Sequence, residues 1–433
     1  MNPFRDFADD RPLCHGAGEL TRGQLLRQAA TLASRLSERA RVVNLCDNRA
    51  GFLVAFVASM LRRQPQLLPG RRSAGQLAEF DAIYGSTCVV SDTEVRGLPQ
   101  ASAGEQRLFE HFAIAPNDLV LTGFTSGSTG NSQPHDKCWA ALEASCRDNG
   151  SAIRAALGVS ATAPVSLLGT VPAHHMYGLE LTVLLPLFGG MSVHEGKPLF
   201  PADVAAALAA LPLPRVLVST PLHLRALADS NLEFPAVSLV VSASAPLEAA
   251  LAARVEARLR APLLEMFGST ETFVFATRQT VRETEWHLYD NVEILDDPGG
   301  TRVRAPWYPA DQPLHDVLEL RGDRRFVLRG RSSDLVDVAG KRASLADISR
   351  RLCAIPGVAD AVVFQPDTVA GAANRLAAAV VCNGITERQI AEALSAGLDP
   401  AFIPRPFLFV NEIPRDALGK VSREGLSRIM NAR

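Results

Sequence analysis

Nowhere in the 433 residues do eighteen apolar residues run together, so no membrane-spanning helix is expected. The opening stretch MNPFRDFADDRP is acidic and lacks the apolar core of a signal peptide. Seven cysteines, at 14, 46, 88, 138, 146, 353 and 382, are odd in number and scattered, with no close pair of metal-ligand spacing. These absences predict a protein of the reducing cytoplasm. A marked excess of one sign of charge is missing too. The 44 Lys and Arg against 46 Asp and Glu leave a net charge of −2, which argues against bulk electrostatic capture of nucleic acid or an acidic membrane. No internal repeat or low-complexity segment is found. What is present, 47% apolar and 21% charged residues, is the composition of a folded chain long enough for two or three domains.

Up to Phe267 the chain alternates between two periods. Apolar residues at Leu25, Ala29, Leu32 and Leu36 have helical spacing, with Thr21 placed to cap them. Strands are expected at Val42–Leu45, Leu119–Phe124, Val165–Val171, Val216–Ser219, Ser238–Ser242 and Leu263–Phe267, and helices between them, among them Phe52–Leu61, Thr182–Phe188 and Pro246–Arg260. Strands separated by helices imply mostly parallel, helix-covered sheet, an α/β fold. Near Tyr289 the texture changes to short alternating runs, Val292–Leu295, Thr301–Arg304, Val317–Leu320 and Phe326–Leu328, which predict an antiparallel subdomain. A smaller α+β unit follows. The expected division is a large domain over 1–329 and a small, mobile C-terminal domain over 330–433.

One stretch, Leu119-Val-Leu-Thr-Gly-Phe-Thr-Ser-Gly-Ser-Thr-Gly-Asn-Ser-Gln-Pro-His-Asp-Lys137, has the build of an anion cradle. An apolar strand breaks into a loop, and a helical pattern begins near Trp139. Gly127 and Gly130 let successive amides turn toward one oxyanion. Thr125, Ser126, Ser128 and Thr129 add short donors, and Lys137 a mobile charge. A polyphosphate suits such a loop. The ordinary P-loop pattern does not fit, because Asn131 follows Gly130 where a lysine belongs. In isolation the same composition also makes a polar surface turn.

Further segments appear in a fixed order: Val171-Pro-Ala-His-His-Met-Tyr-Gly178, Val241-Ser-Ala-Ser-Ala-Pro-Leu247, Glu265-Met-Phe-Gly-Ser-Thr-Glu271, Gly330-Arg-Ser-Ser-Asp-Leu-Val-Asp-Val-Ala-Gly-Lys-Arg342 and Ile413-Pro-Arg-Asp-Ala-Leu-Gly-Lys-Val-Ser-Arg423. With the loop, this series resembles the adenylate-forming superfamily of acyl-CoA synthetases, amino-acid adenylation domains and luciferases, from about Thr21 to Arg423.

The resemblance implies roles residue by residue. Glu271 would hold Mg²⁺, a hard cation that takes one or two carboxylates and substrate phosphates. Thr270 would touch the α-phosphate, and Phe267 and Gly268 would wall the acyl pocket beside the adenine. His175 would pack against the incoming carboxylate, with Tyr177 and Phe273 as further pocket candidates. Ser244, Ala245 and Pro246 match the Gly-Ala-Pro segment along the adenine ring. Asp316 takes the position that binds both ribose hydroxyls, and Arg331 would contact ribose or phosphate. Lys420 matches the lysine that bridges carboxylate and α-phosphate, offsetting charge in the transition state. The small domain would then rotate, bringing Gly340 and Arg342 toward a thiol.

Departures bear on detail. Ser333 stands where the superfamily usually has a hinge aspartate, and Gly130-Asn-Ser-Gln-Pro-His-Asp-Lys137 replaces Gly-x-Pro-Lys-Gly, so either His135 or Lys137 could face the phosphates. The segment before Leu119 looks trimmed for the superfamily. Amino-acid adenylation domains carry an aspartate in the 171–178 segment, and none is present here, which argues against an amino-acid substrate. The implied enzyme uses Mg²⁺ and ATP to adenylate a carboxylic acid. It then passes the acyl group to CoA or to the phosphopantetheine of an acyl carrier protein. The variant loop and short length resemble ligases of bacterial aryl-polyene and xanthomonadin-type pathways, implying an aromatic acid such as a hydroxybenzoate or cinnamate. A medium-chain fatty acid and a silent nucleotide sensor are the alternatives, and a homodimer is compatible with the chain.

Overall fold

The computed structural model describes residues 2–4, 10–39, 41–69, 74–85, 87–99, 103–126, 132–297, 300–322, 324–331, 335–338, 341–366, 375–395, 397–415, 421 and 423–431. Of the expected site residues, Gly127, Ser128, Thr129, Gly130, Ser333, Gly340 and Lys420 lie outside these. The chain divides into two compact units, Met1–Thr284 with Leu288–Val292 and Ala305–Ala310, and Glu285–His287 with Glu293–Arg304 and Asp311–Arg433.

In the first unit the α/β expectation holds. One sheet has the strand order Cys88–Val90, Val42–Asn44, Gln66–Leu68, Leu119–Ser126, Ser132–Cys138, parallel except for its last pair. A second array runs Phe273–Arg278, Leu263–Ser269, Leu239–Ser242, Arg215–Ser219, Ser166–Gly169, Ser192–His194, Pro12–His15, Leu20–Thr21, antiparallel only at its two outer pairs. The central strands are buried along nearly their whole length around apolar middles, as parallel strands covered on both faces must be. Thr21 caps the helix Arg22–Arg35 as expected, in a capping box: its side chain accepts from the Gln24 amide, and the Gln24 side chain accepts from the Thr21 amide.

Helix Arg49–Leu61 is buried almost all round, so it serves as core rather than cover. Its first residue, Arg49, is buried too. The guanidinium donates to the carbonyls of His194 at 2.9 Å, Gly196 at 2.6 Å, Val171 at 2.9 Å and Gly169 at 3.3 Å. Burial pulls its pKa down to about 10.

The second unit opens with antiparallel strands: Glu293–Asp297, Gly300–Arg304 and Gln312–Pro313 in one sheet, and Asp316–Leu320 against Arg325–Arg331. A small α+β core follows. Val358–Phe364, Ala377–Cys382 and Phe407–Phe409 form its sheet, and Ile348, Leu352, Ile390 and Leu394 from the helices Leu345–Cys353 and Glu387–Ser395 fill one face.

Three features depart from the sequence reading. Ser132–Cys138, expected as loop, is a strand pairing with Leu119–Ser126 in the register Gly123↔His135 and Leu121↔Lys137. It contains no β-branched or aromatic residue and includes Pro134, which argues against a strand except at the end of a sheet, where this one lies. The helix expected at Thr182–Phe188 is interrupted by a π-helical turn, Glu180–Leu184. The segment before Leu119 holds more than the reading gave it, including strands Gln66–Leu68 and Cys88–Val90 and helix Ala74–Tyr84.

Candidate active site

Strands Leu263–Ser269 and Phe273–Arg278 are joined by a tight turn that carries Glu271. The Ser269 amide donates to Thr272 Oγ1 at 3.0 Å, and the Thr272 amide to Ser269 Oγ at 3.3 Å. Gly268 is required here: a Cβ would lie 2.0 Å from the Phe273 carbonyl oxygen. Phe273 is fully buried with φ of +60°, a conformation a bulky residue keeps only where the surroundings enforce it.

The Glu271 carboxylate faces His135 Nε2 at 3.5 Å, both side chains mostly buried. Burial pulls the Glu271 pKa upward, but Ser269, its own amide, His135 and Lys137 together hold it below the usual value. Burial lowers the pKa of His135 against the opposing pull of Glu271. At neutral pH the pair is therefore a carboxylate beside a neutral imidazole.

Three of the sequence segments meet at Gly123, opposite His135. A Cβ on Gly123 would sit 2.5 Å from Met176 Cε and 3.2 Å from Thr270 Cγ2. The strand leading to the Ser/Thr/Gly loop, the 171–178 segment and the Glu271 turn thus converge where one residue has no side chain. Thr125 and Ser126 end that strand, two and three positions beyond Gly123. His175 is the N-cap residue of helix Met176–Leu179, half-buried, its ring 4.5 Å from that of His174. Tyr177 and Phe273 are core residues. The Tyr177 hydroxyl donates to the Val241 carbonyl at 3.0 Å, which fastens the 171–178 segment to the strand preceding Ser244. Phe267 is half-buried against Phe275, with ring centroids 5.3 Å apart, and Gly268 is exposed. Ser244 has φ of +78°, followed by half-buried Ala245 and exposed Pro246.

Lys137 points into the protein. It is 4% exposed, its ammonium donates to the Glu271 carbonyl and lies 4.8 Å from the centre of the Phe273 ring. Burial brings its pKa down to about 8, while Glu180 and Glu271 pull it up. Glu180, on the π-helical turn, is buried and pushed up to about 7 by that burial. Its carboxylate accepts from Ser145 Oγ at 2.7 Å, Asn149 Nδ2 at 3.1 Å and the Val274 amide at 3.0 Å. Asn149 in turn accepts from the Tyr289 hydroxyl at 2.8 Å. Sequence reasoning missed Glu180, although a lone carboxylate in the apolar run Gly178-Leu-Glu-Leu-Thr-Val-Leu-Leu185 was a signal that it must be specifically satisfied. In the second unit, Asp316 and Arg331 are register partners across two antiparallel strands, and Arg342 lies on strand Lys341–Ser344.

This arrangement of segments is matched by the family described as AMP-binding enzyme over residues 74–304, and by the AMP-binding enzyme C-terminal domain over residues 348–420. The chain belongs to the AMP-binding enzyme family. It is therefore an adenylate-forming enzyme, an acid–thiol ligase of that superfamily. A 4-coumarate–CoA ligase of Halorhodospira halophila is 31% identical over 70% of this chain and 74% of its own length. A 4-coumarate–CoA ligase of Rhodobacter capsulatus is 30% identical over 74% of this chain and 79% of its own. ATP-bound MatB from Rhodopseudomonas palustris superposes with a TM-score of 0.81 at 20% identity, covering 99% of this chain and 98% of that one, which establishes the shared fold. Among the described residues no helix is long and apolar enough to cross a membrane, and no cluster of three or more His, Cys, Asp or Glu could hold a metal by itself. A single carboxylate is nonetheless what Mg²⁺ needs when phosphates complete its shell, and ionised Glu271 fits that requirement.

Proposed function

We propose that the protein activates an aromatic carboxylic acid, of the hydroxycinnamate or hydroxybenzoate class, as its adenylate and transfers the acyl group to a thiol. The carboxylate oxygen attacks the α-phosphorus of ATP and pyrophosphate leaves. The thiolate sulfur of CoA, or of a carrier protein's phosphopantetheine, then attacks the acyl carbon and AMP leaves. The observation that carries this reading is the meeting of the 119–126 strand, Met176 and Thr270 around Gly123, with ionised Glu271 beside it. Glu271 would hold Mg²⁺, which when bound would offset phosphate charge. Ser244, Ala245 and Pro246 would line the adenine, Asp316 and Arg331 the ribose, His175 the acid. The loop 125–130 would hold the phosphates. Lys420, carried by a C-terminal domain beginning near residue 330, would neutralise the two oxyanions as they meet. The aromatic class is supported by the 4-coumarate–CoA ligases, and a reducing cytoplasm by seven cysteines of which none forms a disulfide. The loop variant supports placing the chain among aryl-polyene-type ligases.

Incubation with ATP, Mg²⁺, hydroxylamine and a panel of acids tests this. Acid-dependent pyrophosphate release and hydroxamate, highest with hydroxycinnamates or hydroxybenzoates, is the expected result. Phosphate release without acid, or a preference for medium-chain fatty acids, overturns it. Lys420→Ala should lower adenylation by about 10²-fold or more while supplied acyl-AMP is still converted to thioester. Equal loss in both steps contradicts the assigned role.

A further inference from the structure

We infer that Lys137, Glu180 and Tyr308 are positioning residues that together clamp the backbone of the Glu271 turn, aiming a carboxylate they do not themselves replace. The inference rests on the proposed role of Glu271 and adds how that residue is held.

Three anchor points within the residues Glu271–Val274 hold the turn. The Lys137 ammonium donates to the carbonyl of Glu271. The Tyr308 hydroxyl donates to the carbonyl of Thr272. The Glu180 carboxylate accepts the amide of Val274, from both oxygens, at 3.0 and 3.2 Å. Between them stands Phe273, held in a left-handed conformation with its ring under the Lys137 ammonium. A turn bonded only to itself would relax that residue. Here the backbone groups on both sides of it are held by side chains arriving from three other places in the chain.

The anchors are themselves fixed. Glu180 is set by Ser145 and Asn149 from helix Trp139–Leu157, and Asn149 by Tyr289. Glu180 opens the π-helical turn Glu180–Leu184, all of whose residues are buried. Lys137 sits two residues from His135 on the same strand face, so one strand supplies both the contact to the Glu271 carboxylate and the grip on its backbone. A buried ammonium and a buried carboxylate at opposite ends of the four residues Glu271–Val274 are costly unless their hydrogen bonds are used, and each is used here.

This assigns Lys137 a place away from the phosphates, and the test separates the two roles. Backbone hydrogen exchange of the free protein is followed for peptides spanning 263–278 in wild type, Lys137→Met, Tyr308→Phe, Glu180→Ala and Glu180→Gln. The expected result is exchange faster by about tenfold or more at 271–275 in Lys137→Met and Glu180→Ala. Glu180→Gln, whose amide oxygen can still accept from Val274, should restore protection. In turnover, Lys137→Met should lower adenylation kcat and weaken the Mg²⁺ response by roughly 10–100-fold, with a smaller change in acid KM. The same substitution made in Glu271→Gln should add little, because both act through one carboxylate. Unchanged exchange in Lys137→Met with a raised KM for ATP makes Lys137 a direct phosphate ligand and overturns the inference, as does full additivity with Glu271→Gln. Absence of acid-dependent pyrophosphate release in wild type would instead overturn the proposed function, leaving the exchange comparison to decide the clamp.

Discussion

The side-chain ammonium of Lys137 is hydrogen-bonded to the backbone carbonyl of Glu271, 134 positions further along the chain. The bond joins the last strand of one sheet to a turn of the other array, and it makes the least strand-like segment of the first unit part of the candidate site. Its surroundings are low in water: Phe273 lies on one side, and Glu180 inside the core supplies the largest compensating charge.

That burial gives Glu180 a measurable pH signature. Its pKa rises from 4.5 to about 7 on folding, so the folded state holds its proton more tightly. The associated stability is fully present below about pH 4.5 and is lost as pH rises toward 7, a swing of at most about 3 kcal/mol. Lys137 works in the opposite direction and higher up, favouring the folded state as pH rises from about 8 toward 10.5. In Glu180→Gln the decline between pH 4.5 and 7 should flatten. Urea midpoints at several pH values measure it, and a decline as steep as in wild type would remove Glu180 as its source.

Ser244 offers a stabilising substitution. Its φ of +78° costs a serine what a glycine does not lose, and the resembling families carry glycine at this place. Ser244→Gly should raise stability by up to ~1 kcal/mol, less the entropy glycine gains in the unfolded chain. A lower thermal midpoint would mean that the serine side chain contributes a contact worth more than the strain.

Arg49→Met should be among the most damaging single changes. It fills similar volume but leaves the carbonyls of Gly169, Val171, His194 and Gly196 without their common donor. Each buried orphan costs roughly 1–3 kcal/mol before relaxation, so a loss on the order of 3 kcal/mol or more is expected. Chemical denaturation measures it, and a change within ~0.5 kcal/mol would contradict the role given to the guanidinium.

The sequence was most legible where one local rule acts alone. Thr21 and Gln24 announce a helix start, and short apolar runs such as Val216–Val218 announce buried parallel strands; both are realised. The motif order likewise led to Thr270, Met176 and the 119–126 strand, which do meet at Gly123. Less legible were elements whose stability comes from distant partners. Ser132–Cys138 has poor strand chemistry of its own and is held by its pairing with Leu119–Ser126. Glu180 and Arg49 reveal their roles only through acceptors and donors that folding brings from elsewhere. The left-handed backbone at Phe273 has no local signal, since nothing in a phenylalanine favours it.

The strand that brings His135 and Lys137 to the candidate site also ends its sheet, and it does so with exposed Gln133, Pro134 and Asp136. A proline lacks the amide that a neighbouring molecule's strand would need, and an acidic side chain repels apolar partners. Replacing these residues with better strand formers would improve local propensity while creating a template for intermolecular pairing, so avoiding such pairing, as well as the contacts to Glu271, constrains what this strand can be.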